Sequence, residues 1–122
     1  MITEIYDCSL FISRFEDYGR VETKENPNGN FTRFGLRFLF DYLDEAYDEE
    51  NPLELDVIAL CCDFKQYGDG SAFLIDYPSK LKDVDFEGMR EYWRAIEEEI
   101  NDNTTLIKLG ENLSDGFIIG SY

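Results

Sequence analysis

The hydrophobic positions of this chain fall into blocks of different period, and the block around which the others are arranged is residues 54–64, ELDVIALCCDF. Leu55 and then an unbroken run from Val57 to Cys62 stand between acidic residues at both ends. A run of this length predicts a central strand buried on both faces, being too short for a buried helix.

Helical spacing governs the segments around it. In residues 1–19, Asp7 is placed to cap a first helix, Phe11, Phe15 and Tyr18 recur at helical spacing with Cys8 and Ile12 beside them, and Gly19 supplies a stop. Residues 20–30 turn polar, and Asn26-Pro27-Asn28-Gly29-Asn30 predicts an exposed loop. A second helix starts at the Thr32 cap and runs to about Glu50, with Leu36, Leu39, Phe40, Leu43 and Tyr47 on one face and Asn51-Pro52 as its stop. A third has Asp85 as its cap and Phe86, Met89, Trp93, Ile96 and Ile100 on its buried face, with Trp93 as a core anchor.

Residues 65–85 lack a clear period and predict a long, partly ordered connection, with residues 72–77 as a short strand or one helical turn. At the end, TTLIKL and FII flank the turn-rich residues 110–116 and predict a hairpin. The expected fold is α+β, in the order α-α-β-α-β-β. It has a mainly antiparallel sheet of at least three strands, covered mostly on one side by two or three helices.

Composition narrows this picture. With 122 residues, 43% of them hydrophobic and 16% aromatic, residues 1–122 are expected to form a single domain with a real core rather than a disordered tail. The formal charge of −16, from 27 acidic and 11 basic residues, opposes direct binding to nucleic acid or to an anionic membrane surface. A basic protein is the natural complement. Cys8, Cys61 and Cys62 have no paired spacing and are expected to be reduced core residues. No signal-peptide pattern or membrane-length apolar run occurs, so a cytoplasmic protein is expected.

The absence of histidine removes the usual general base, the Ser-His and Cys-His pairs and most zinc sites. No phosphate-binding glycine motif is present. Carboxylate pairs arise by chance in so acidic a chain, and Asp63, Asp69 and Ser71 lack calcium-loop spacing. No catalytic residue, metal or cofactor is expected.

The remaining signal is on helix surfaces. Asp41, Asp44, Glu45, Asp48 and Glu49 share one side of the second helix, and no basic residue occurs from Asp41 to Asp56. Residues 41–50 span about 14 Å of helix, over which duplex DNA presents about eight phosphates. The six carboxylates there approach that density. Glu97, Glu98 and Glu99 form a second acidic run, placed against the dipole of the third helix. An ordinary solubilising face is the plain alternative. Phe34, Phe38 and Tyr42 form a separate stripe, either covered by the first helix or the loop or left as a partner-binding patch.

The segments FTRFGLRFLFDYLDEAYDEE and ELDVIALCCDF, with TTLIKL and GFIIG near the end, resemble a family of small acidic proteins of bacteriophages and other mobile elements. The resemblance covers about half of the chain, residues 65–85 departing from it. It implies a setting rather than site residues. By analogy of composition and setting, small acidic phage proteins often counter host restriction or CRISPR defences by occupying DNA-binding surfaces. The expected function is therefore a non-catalytic, DNA-mimicking inhibitor of a basic host nuclease or other DNA-binding protein, through Asp41, Asp44, Glu45, Asp48, Glu49 and Glu97 to Glu99. The alternative is a phage regulatory module that binds a protein through Phe34, Phe38 and Tyr42. The exposed edge of the expected sheet also offers a route to a homodimer.

Overall fold

In the computed structural model, which describes residues 1–68, 70–77, 89–111 and 113–121, with backbone alone at 70, 71, 74, 89–93 and 114, Asp7 opens the first helix as its position predicts. Its carboxylate accepts from the Leu10 amide at 2.8 Å, and α1 (Cys8–Asp17) buries Phe11, Ile12 and Phe15. Gly19, at φ +68°, ends it, with the Gly19 amide donating to the Glu16 carbonyl and the Arg20 amide to the Phe15 carbonyl. This is the double hydrogen bond of a left-handed helix stop. Tyr18, expected on the buried face, is the helix cap and is exposed.

The chain divides into two compact units, residues 1–65 and 66–122. In the first, α2 (Arg33–Ala46) starts at Thr32, whose hydroxyl accepts from the Gly35 amide at 2.9 Å. Leu36, Leu39 and Leu43 are buried on the face the periodicity marks. Phe11 stacks in tilted fashion on Phe15 and Phe40, with centroids at 5.0 and 5.4 Å, and Phe15 meets Phe31 edge-on at 5.7 Å. These rings join α1 to α2. The polar loop between the helices is tied at its ends by the Val21–Phe31 bridge, and the Asn26 side-chain amide donates to the carbonyls of Gly19 and Val21.

Two expectations fail in this unit, for related reasons. The second helix stops at Ala46 rather than near Glu50. The Asp48 carboxylate accepts from the amides of Glu50 and Asn51 at 3.1 and 2.9 Å, offering the backbone a turn in place of another helical turn. The run expected as the central strand is a helix, α3 (Val57–Asp63). Asp56 caps it by accepting from the Ala59 amide at 3.0 Å, and burial falls on Val57 and Leu60, three residues apart, while Ile58 is exposed. Short apolar runs do not distinguish helix from strand by period, and the cap decides.

The strand begins where α3 ends, as β1 (Phe64–Tyr67). α4 (Gly70–Asp76) then occupies part of the expected loose connection. Asp85 and Phe86 lie outside the described residues, as do the side chains of Met89 and Trp93. α5 (Met89–Asn103) buries Ile96 and Ile100 as predicted. The hairpin forms as β2 (Leu106–Lys108) and β3 (Phe117–Gly120), antiparallel, with Ile107 opposite Ile118.

The sheet order is β1-β3-β2. β3 is therefore the central strand, and Phe117, Ile118 and Ile119 are all buried, so both of its faces are covered. The second unit's core gathers Tyr67, Phe73, Ile96, Ile100, Leu113, Phe117 and Ile119. The class and the element order agree with expectation; the identity of the central strand does not.

Candidate functional site

Residues 38–64 contain no basic residue and nine acidic ones: Asp41, Asp44, Glu45, Asp48, Glu49, Glu50, Glu54, Asp56 and Asp63. All nine are exposed. Among them, Asp41, Asp44 and Glu45 lie on α2, and at 100° per residue they share an arc of about 100°. Asp48 and Glu49, expected to continue the ridge, leave the helix into the turn. The helical part is thus shorter, three carboxylates over about 6 Å, where duplex DNA presents about 3.5 phosphates. Local density is retained although the long ridge is not.

Several of these carboxylates also have internal work. Asp48 holds its turn, and Asp56 caps α3. Asp44 lies 3.5 Å from the Met1 amino group, which also donates to the carbonyls of Asp44 and Tyr47 at the C-terminal end of α2. That amino group places a cation where α2 has no basic residue in its last turn.

The aromatic stripe is divided. Phe34 and Phe38 meet edge-on at 5.1 Å, with Phe34 55% exposed, whereas Tyr42 turns to Phe64, with centroids 6.3 Å apart. Phe34 and Tyr42 are exposed and Phe38 is partly buried, so the stripe is covered only in part. On the α2 wheel these rings and the three carboxylates occupy one outward arc of about 160°, so the two candidate surfaces adjoin.

Sequence reading missed a groove between α2 and α3. It measures about 460 Å³ and is lined by Tyr42, Leu43, Ala46 and Tyr47 from one side and by Leu53, Glu54, Asp56, Ala59, Leu60, Asp63 and Phe64 from the other. Leu43 and Leu60 are buried at its base, and Ala46 and Ala59 are exposed and too small to fill it. Taking residues 54–64 as a strand concealed this pairing. The signal that reveals it is Asp56 as a cap followed by Val57 and Leu60 at helical spacing. A second, more polar cavity of about 790 Å³ has Glu4, Arg14, Tyr18, Glu54 and Asp56 among its walls.

In the second unit, Glu97 Oε1 lies 2.9 Å from Lys108 Nζ, and the Asn103 side-chain amide donates to the carbonyl and carboxylate of Glu99. Glu98 is exposed. Only part of this acidic run is presented outward.

The cysteines are free, but only Cys8 and Cys61 are partly buried, with their thiol pKa values raised chiefly by that burial; Cys62 is exposed, contrary to a core position. A helix turns adjacent residues by about 100°, so Cys61 and Cys62 differ in exposure. Among the described residues no three Cys, Asp or Glu side chains are placed to share a metal ion, and no helix is long and apolar enough to cross a membrane. No family model matches the chain, and neither a curated protein nor a solved structure does.

Proposed function

We propose that this chain is a non-catalytic acidic binding protein of a bacteriophage or related mobile element. It acts in the cytoplasm of a bacterial host and occupies the basic, DNA-binding surface of a restriction- or CRISPR-type defence protein. The observation that supports this reading is the presence of nine exposed carboxylates in residues 38–64, a segment without a single basic residue. Such a surface attracts Arg and Lys clusters over a Debye length of about 8 Å at physiological salt, and it repels nucleic acid itself. Association driven in this way weakens steeply with salt, as DNA binding does.

A second reading is favoured by the exposed Phe34 ring resting on Phe38. In it the chain is a regulatory module that binds a protein through apolar contacts, its charge serving solubility.

Capture of partners from bacterial lysate on the immobilised protein, at low and high salt, tests the two against each other. A DNA-binding protein held at low salt, released at high salt and displaced by duplex DNA is the result expected of the mimic. A partner that resists salt and is lost with Phe34→Ala overturns mimicry and selects the second reading.

A further inference from the structure

The groove between α2 and α3 combines three features that the acidic surface alone lacks. Its floor is apolar, with Leu43 and Leu60 at the base. Two aromatic rings, Tyr42 and Phe64, held edge to face, are among its walls. Around its mouth stand Glu54, Asp56 and Asp63, all exposed, and no basic residue lies in the segment that builds it. Its volume of about 460 Å³ falls within the usual range for small-ligand sites, about 300–1,000 Å³.

This combination fits one side chain best. A lysine ammonium is a compact, strongly hydrated charge, whereas a guanidinium is planar and weakly hydrated, stacks on aromatic faces and forks onto carboxylates. An aliphatic stem followed by a flat cation matches an apolar floor that leads to rings and carboxylates.

We propose that the α2–α3 groove is the anchor site for an arginine-bearing segment of the basic partner. This rests on the reading of the chain as a binder of basic proteins, and it assigns that surface its specific contact. The exposed carboxylates of α2 and the following turn then steer the encounter, and the groove sets the residence time.

The test titrates the full chain with a hexa-arginine peptide at low salt, following backbone amide signals by NMR, beside a hexa-lysine peptide and an uncharged apolar peptide. The expected result is that hexa-arginine binds at least tenfold more tightly than hexa-lysine and shifts the amides of Tyr42, Ala46, Ala59 and Phe64 most. Ala59→Leu and Ala46→Leu fill the groove while leaving every carboxylate in place. Both positions are exposed, so the fold is expected to tolerate them, and each should weaken hexa-arginine binding at least tenfold.

Unchanged binding in both variants overturns the groove while leaving the acidic surface as the site. Equal binding of the two basic peptides overturns arginine selectivity, and tighter binding of the apolar peptide overturns the basic occupant. No binding of either basic peptide at low salt overturns the groove and the proposed function together.

Discussion

The Tyr42 ring, on the outward arc of α2, meets the Phe64 ring edge to face, with centroids 6.3 Å apart and planes at 69°. Phe64 is both the cap of α3, its amide donating to the Leu60 carbonyl, and the first residue of β1. This contact links the acidic helix to the place where α3 gives way to strand. It also removes Tyr42 from the stripe that spacing assigned to it and makes it a wall of the groove. An edge-to-face pair adds about 0.5–1.5 kcal/mol beyond burial.

Charge reversal separates steering from folding. Asp41→Lys with Glu45→Lys changes two exposed carboxylates that hold no turn or cap, and it is expected to weaken partner binding at least tenfold and to flatten its salt dependence. Binding isotherms at several salt concentrations measure both. Asp48 is the wrong residue for this purpose: Asp48→Ala removes the turn acceptor and is expected to cost about 1 kcal/mol, by analogy with a helix cap, while Asp48→Asn keeps most of it. Equal urea midpoints for these two variants would show that the side chain does not hold the turn.

Glu4 has φ +64° in the tight turn from Ile2 to Ile5, in which the Ile5 amide donates to the Ile2 carbonyl at 3.2 Å. A side chain in the left-handed region costs about 1–2 kcal/mol, part of which glycine returns through its greater freedom when unfolded. Glu4→Gly is therefore expected to stabilise the protein by about 0.5–1 kcal/mol. Chemical denaturation decides it; a destabilised variant would mean that the Glu4 side chain contributes more than its backbone strain costs.

Gly29 shows the opposite case. A Cβ there would stand 2.3 Å from the Glu22 amide nitrogen and the Val21 carbonyl carbon, both backbone atoms. Relief requires the loop that Asn26 ties together to move, so Gly29→Ala is expected to cost about 1–3 kcal/mol. Thermal unfolding checks this, and a neutral substitution would show the loop to be free to shift.

Tyr67 predicts an alkaline limit. Burial holds its hydroxyl protonated well above the usual tyrosine range, and its hydrogen bond to Asp76 at 2.8 Å, with the charge of that carboxylate, acts in the same direction. The folded state then binds the proton more tightly than the unfolded one. This contribution is complete below the unfolded value, about pH 10, and is progressively lost above it. The raised thiols of Cys8 and Cys61 act with the same sign from about pH 8.5. Urea midpoints are thus expected to fall between about pH 9 and 11, and Tyr67→Phe should make the fall shallower. An unchanged slope would assign the alkaline loss to other groups.

What could be read from the sequence followed from local chemistry. Asp7 and Thr32 cap their helices because a short oxygen side chain reaches an amide three residues ahead, and Gly19 stops α1 because it adopts a left-handed conformation at little cost. The leucine face of α2, the Ile96 and Ile100 face of α5 and the closing hairpin follow from period in the same way. The acidic surface was visible too, since charged side chains without buried partners remain in water.

Tertiary structure decided the rest. Residues 57–62 and 117–119 are both short apolar runs; the Asp56 cap sets the first coiling into α3, and only pairing shows that the second is the central strand. Whether Asp48 extends a ridge or folds back to hold a turn depends on competition between its carboxylate and the next helical hydrogen bond. The groove takes its shape at this level, although the Asp56 cap with Val57 and Leu60 at helical spacing marks one of its walls in the sequence. Tyr42 and Ala46 share helical spacing on α2, but only the tertiary structure brings them to one cavity with Ala59 and Phe64.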